Sequence, residues 1–409
     1  MKDKLALFGG SPVKNTPPGS GQRYGEAEIN EIRDCFDHGS IIYWGGYKIG
    51  QFCETVKSYF NTGYCAGCSS GSAAIHAAIG AGLIEPGYEV ITSPITDIGS
   101  LIGVLYQNLI PVFADVDPYS YNITASSIEK VLTERTRAII VVHLAGNPCD
   151  MDPIVALAKK HDLLLIEDCA QAYGAVYKGR KVGTIGDIGA FSLNESKHLS
   201  SGDGGFIITD DRELHGRCHN YMDKYYDRLG RGDRLEHLAP CYRASELQYA
   251  VAKAQFGKLD ALLAKRREYV SVLTRELQGI EGITLPAVQQ DCESSWWFYM
   301  FRLTPGMFDG DGARFAEAMR AEGCFALAGY IPRPIYREKL FEQKSFFPGN
   351  IWPAEVVSGR SYSYPAGLCP VAEEVLSSAI RLPVSEFYTE NDALDVAKAV
   401  KKVAAGLRK

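Results

Sequence analysis

A chain of 409 residues is too long for one compact core and predicts two or three domains. Its 46% hydrophobic and 22% charged composition is that of a globular enzyme, not of a disordered or fibrous protein. The net charge of −6 leaves no basic footprint for nucleic acid and no polybasic stretch for an anionic membrane.

Eleven cysteines, an odd number spread over the whole chain, predict a reducing compartment and hence the cytoplasm. Cys65 and Cys68 form a CxxC, but no second pair at metal spacing follows, so no metal site is expected. The apolar run Leu5–Phe8 is shorter than a signal-peptide core. The stretch Leu101–Ala114 is interrupted by Gln107, Asn108 and Pro111 and falls short of a membrane span.

In chain order, residues 1–25 hold a Gly9–Gly10 turn and a Pro17–Pro18 pair and read as an extended arm. Glu26–His38 places Ile29, Ile32, Cys35 and Phe36 at helical spacing. The aromatics and glycines of Ile41–Gly50 suit either a core or a pocket rim. From Tyr64 onward strands and helices alternate. Ser69–Ser72 precede an alanine-rich helix carrying Ile75, Ala78 and Ile79 on one face. A Ser/Gly turn at a helix start offers free N–H groups to a phosphate, or is a plain serine cap. Strands are expected at Glu89–Ser93, Ile110–Phe113, Ala138–His143 and Leu163–Ile166, with helices from Thr124 to about Leu132 and at Pro153–Lys160. Such alternation predicts a mainly parallel sheet covered on both faces, whose function collects at the strands' carboxyl ends.

Asp168 stands at one of those ends, either as a functional carboxylate or as a cap for a helix over Cys169–Tyr173. Ile188–Leu193 and Phe206–Thr209 are two further buried strands. Between them lies a Ser/Gly-rich loop containing Lys197. Burying a lysine there for packing is expensive, whereas Schiff-base chemistry with a carbonyl cofactor wants such an amine. The polar stretch 211–240 reads as a mobile loop or a subunit contact. Ala244–Gln278 is helical with a break at Gly257, and leads into a second domain with a strand at Trp297–Leu303 and a helix at Ala313–Ala321. Residues 330–370 show no clear element. A last strand, Ile380–Pro383, precedes a helix at Asn391–Leu407. The expected division is an arm (1–25), a large domain (26–260) and a small C-terminal domain (261–409).

Pyridoxal phosphate needs a lysine, an acid at its pyridine nitrogen, and a helix N-terminus with hydroxyls for its phosphate. Lys197, Asp168 and the Gly71–Ser72 helix start supply one of each, and Ser192 offers a second phosphate hydroxyl. The runs SSGSAAIHAAI (Ser69–Ile79), EDCAQAYGA (Glu167–Ala175), FSLNESKHLSSGDGG (Phe191–Gly205) and YRASELQYAVAKAQFGKLD (Tyr242–Asp260) carry these residues in order. On them, with the arm LALFGGSPV (Leu5–Val13), the chain resembles the DegT/DnrJ/StrS sugar aminotransferases.

That resemblance implies a fold-type I α/β architecture. Its large domain holds a seven-stranded, mostly parallel sheet, and a small C-terminal α/β domain follows. It implies that Lys197 forms the Schiff base and shuttles the proton, and that Asp168 pairs with the pyridine nitrogen. Gln171 then lies against the ring, and Gly71, Ser72 and Ser192 hold the phosphate. It further implies a cytoplasmic homodimer with shared sites, which cycles through pyridoxamine phosphate. Nitrogen passes from glutamate or glutamine to a keto sugar, commonly nucleotide-linked. A free keto-cyclitol or keto sugar acid is the alternative acceptor. A pyridoxal-phosphate sugar dehydratase and a non-enzymatic regulator are the rival readings.

Three departures stand out. Asp97 occupies a position where relatives often stack an aromatic on the cofactor; either another side chain covers that face or Asp97 contacts substrate. Cys241 stands where many have an asparagine reaching the partner's phosphate. The related 3-dehydratases replace the lysine by histidine, whereas here Lys197 is present and His198 only follows it.

Overall fold

The β-branched runs fold into a seven-stranded sheet in the computed structural model, which describes residues 4–409. Its strands are β1 (Tyr64–Cys68), β2 (Glu89–Thr92), β3 (Ile110–Phe113), β4 (Thr136–Val142), β5 (Leu164–Asp168), β6 (Ile188–Ser192) and β7 (Gly205–Thr209). The spatial order is β1-β7-β6-β5-β4-β2-β3, and only β7 runs against its neighbours. Period-2 alternation explains why these strands read as continuous apolar runs. Ile139 and Val141 of β4 enter one core, while Ala138 and Ile140 enter the core on the opposite face. The alanine-rich helix Gly71–Ala81 fills that second core and is buried from Ala73 to Ala81; its small side chains let it lie close to the strands.

A second sheet is antiparallel and four-stranded, ordered Ile283–Thr284, Phe298–Leu303, Ala379–Pro383 and Leu327–Ala328. Tyr299, Phe301 and Leu303 face its own core beneath the helices Leu259–Leu277, Gly312–Ala321 and Glu390–Leu407, while Phe298 and Met300 face the large sheet's core.

Four readings of the chain need correction. The stretch 211–240 is not loop throughout. Arg212–Met222 is a helix whose first turn is capped by Asp211, and it buries Cys218, Tyr221 and Met222 against the alanine-rich helix. Its mean composition is polar because only a narrow stripe is covered. The stretch 330–370, read as having no clear element, holds the short helices Lys339–Glu342 and Pro353–Ser358; Tyr47–Phe60 and Gly99–Tyr106 are helices besides. Cys169–Tyr173 forms turns, not a helix, so Asp168 is not a helix cap.

Candidate active site

Strands β1, β2, β5 and β6 all end at one edge of the sheet, and their following loops enclose a cavity of about 350 Å³. Gly71, Ser72, Asp97, Asp168, Gln171, Ser192 and Lys197 all line it. Residues read far apart in the chain thus converge as the strand-end rule requires.

At one end lies the start of the alanine-rich helix. Ser70 caps it by accepting the Ala73 N–H at 3.1 Å, which leaves the Gly71 and Ser72 amides without a partner among the described residues. Free amides at the positive end of a helix suit a dianion. Ser192 is close by: a Cβ on Gly71 would stand 2.6 Å from Ser192 Cβ, so only glycine lets helix and strand end meet here.

At the other end stands Asp168, buried at the tip of β5. Its Oδ2 accepts from the Ser100 hydroxyl at 2.6 Å and its Oδ1 from the Ala170 N–H at 3.0 Å. Ser100 has one proton and spends it on Asp168, so the Thr96 hydroxyl, 2.7 Å away, must donate to Ser100. Burial raises the Asp168 pKa above the carboxylate range, against the opposing pull of Ser100, Ala170 and Lys197. Each oxygen keeps a lone pair for a donor in the cavity.

Lys197 is half-buried, and its Nζ lies over the Trp297 ring, 3.9 Å from the centroid. Burial lowers its pKa, while Asp168 and Asp97 pull it back up. Gln171 is buried, with Oε1 accepting the Ala145 N–H at 2.8 Å and Nε2 donating to the Tyr330 hydroxyl at 3.3 Å. Asp97 fixes its Oδ1 on the Gly99 N–H at 2.8 Å, while its Oδ2 has no partner among the described residues.

Two of the positions named among the departures, Cys241 and His198, do not line the cavity. Cys241 is exposed, bridged through its backbone to Asp223. His198 is buried, its Nε2–H donating to the Ser295 carbonyl at 3.0 Å. Trp297, Tyr330 and Ser100 line the cavity without having been singled out as site residues. Nothing local in the sequence marks Ser100.

Beside the site, His143, Glu167 and Cys169 come close together in the buried interior. His143 Nδ1 accepts the Cys149 N–H at 3.0 Å, so Nε2–H donates to Glu167 at 2.9 Å, and Glu167 also takes the amides of Gly183, Ile185 and Gly186. The imidazole and the carboxylate are therefore engaged in pinning β4 and β5 to the turn before β6.

An amine, a buried acid and an amide-rich helix start around one cavity define the pyridoxal-phosphate class of enzyme, and the donor set fits that cofactor. The model of the DegT/DnrJ/EryC1/StrS aminotransferase family matches residues 22–401, and the chain belongs to that family. It is 34% identical to a putative L-glutamine:3-amino-2,3-dideoxy-scyllo-inosose aminotransferase of Streptoalloteichus tenebrarius, over 83% of each chain. It is also 34% identical to a UDP-N-acetyl-3-dehydro-alpha-D-glucosamine 3-aminotransferase of Acidithiobacillus ferrooxidans, over 83% of this chain and 84% of that one. Among solved structures, an aminotransferase from Psychrobacter cryohalolentis superposes with a TM-score of 0.85 at 28% identity, covering 96% of this chain and 100% of its own.

Proposed function

We propose that the protein transfers an amino group from glutamate or glutamine to the keto carbon of a sugar or cyclitol, using pyridoxal phosphate held in the cavity described above. The observation that carries this reading is the placement of a half-buried Lys197 on the same cavity as Asp168 and the free Gly71–Ser72 amides. Relatives acting on a nucleotide-linked sugar and on a cyclitol are equally similar in sequence, so both acceptor classes stand.

When bound, pyridoxal phosphate supplies an electron sink and, in its pyridoxamine form, stores the nitrogen between two half-reactions. The Gly71 and Ser72 amides with the Ser72 and Ser192 hydroxyls would hold its phosphate. Asp168, fixed by Ser100 and Ala170, would present a carboxylate to the pyridine nitrogen. Gln171, held by Ala145, would lie against the ring. Lys197 would anchor the cofactor and move the proton at Nζ, and burial weakens the amine's hold on that proton. Asp97 leaves Oδ2 open to the acceptor's hydroxyls, with Trp297 and Tyr330 as walls.

A division at about residues 25 and 260 is supported by the separate large and small sheets, although the stretch 335–379 contributes to the large sheet's core and Leu5 to the small one's. We take the working unit to be a homodimer: Ile41, Ile42, Trp44, Leu229, Leu235 and Leu238 are exposed, more large apolar surface than a lone chain needs to leave open. Eleven free cysteines favour the cytoplasm.

The test is to load purified protein with pyridoxal phosphate, supply glutamate or glutamine, and offer keto-sugar nucleotides and keto-cyclitols in parallel. The expected result is a stoichiometric 2-oxo acid with one acceptor class aminated, and loss of both the visible cofactor band and turnover in Lys197→Ala. Parent-rate transfer by Lys197→Ala sinks the assignment; acceptor dehydration without release of a 2-oxo acid indicates a dehydratase instead.

A further inference from the structure

Lys197 sits in a segment, residues 193–204, that contains neither helix nor strand. Its position therefore depends on what grips that segment from outside. Three consecutive carbonyls are held by side chains remote in the chain. Arg23 of the arm donates Nη1–H to Glu195 O at 3.1 Å and to Lys197 O at 2.8 Å, and Trp297 Nε1–H donates to Ser196 O at 2.6 Å.

Arg23 is itself fixed at both ends. Its Nε and Nη2 donate to Glu386 Oε1 at 3.2 and 3.1 Å, and Glu386 Oε2 accepts from the buried Arg266 at 2.7 Å. Its backbone carbonyl accepts from Gln255 at 2.8 Å and Lys258 at 3.0 Å. A planar guanidinium can hold a carboxylate with one edge and two carbonyls with the other; a lysine cannot keep that fork.

We propose that Arg23 is a positioning residue for Lys197, setting the lysine's own peptide from the N-terminal arm with Glu386 as its anchor. This rests on the reading of Lys197 as the cofactor-binding amine. The consequence is that docking of the arm and of the segment after the last small-sheet strand completes the site.

The experiment compares Arg23→Gln, Arg23→Lys and Glu386→Gln with Lys14→Met. Lys14 ties the same arm to Asp392 and Asp395, both at 2.8 Å, and touches nothing in the 193–204 segment. Hydrogen exchange on the cofactor-free protein is read first, because it does not depend on turnover. Arg23→Gln is expected to speed exchange at residues 195–199 while leaving β5 and β6 protected. With cofactor and donor, kcat should fall about tenfold to a hundredfold with KM little changed, as for a reacting group displaced by under about 1 Å. The pH midpoint of the lysine-bound cofactor's visible band should move with it. Glu386→Gln should reproduce this more weakly, and Arg23→Lys should restore part of it. Lys14→Met should lower the melting temperature and leave loop exchange, spectrum and kcat alone.

If Arg23→Gln matches Lys14→Met in all three readouts, Arg23 only docks the arm and the proposal is wrong. Should the protein move no nitrogen at all, the exchange result still stands by itself, and it is the functional reading that fails.

Discussion

Glu167 and Asp168 are neighbours at the end of β5, both buried, and they do opposite things. Glu167 faces the closed side, where four donors from His143, Gly183, Ile185 and Gly186 saturate it. Burial alone would raise its pKa, but His143 and the amides outweigh burial and hold it below the usual range. Asp168 faces the cavity, where Ser100 and Ala170 leave it half satisfied, and burial wins. The contrast separates structure from function by hydrogen-bond accounting: a fully paired buried acid holds the fold, and one left short has a ligand to meet.

The largest effect is expected at Glu167. Glu167→Ala strands three amides and the His143 Nε2–H in the interior, which should cost about 3–5 kcal/mol in denaturant unfolding. A stable but inactive variant would invert the roles assigned to the two acids.

Asp168→Asn comes next. It should lower turnover by about a hundredfold to a thousandfold, as when one preorganised electrostatic partner is lost, while the chain folds normally. Its cofactor-free form should be the more stable one at neutral pH. The sign follows from linkage: with the folded pKa raised, the native state holds a proton that the unfolded chain has released, so parent stability falls as pH climbs from the ordinary carboxylate range through the folded value. The asparagine variant escapes that fall, and below the carboxylate range the two should converge. Thermal melts of both proteins from acid to neutral pH check this.

Ser100→Ala gives the smallest change. Removing one donor from Asp168 should raise its pKa further and cost about tenfold in turnover, the worth of one charged hydrogen bond. No effect would mean that Ala170 alone orients the carboxylate.

Much of the architecture was legible in advance. β4, with its unbroken apolar run, and β5, ending on Glu167–Asp168, read directly as buried strands, and Lys197 was conspicuous as a charge among small residues. The helix Arg212–Met222 was not legible, since its buried stripe of Cys218, Tyr221 and Met222 is thin beside its charged face. Ser100 is equally silent: its part depends on the start of the helix Gly99–Tyr106 returning to Asp168, which is 68 residues away.

Alternation of apolar and polar residues, turn residues and rare chemical groups are properties of neighbouring positions, so reading along the chain recovers strands, the helix start at Gly71 and the amine and acid of the site. Which face of Asp168 stays unsatisfied, which ring lies under Lys197, and which arm residue grips the lysine's carbonyl are matters of distance between segments separated by up to 174 positions. Those distances exist only once both cores have packed, because burial and backbone pairing set them, and no local pattern contains them.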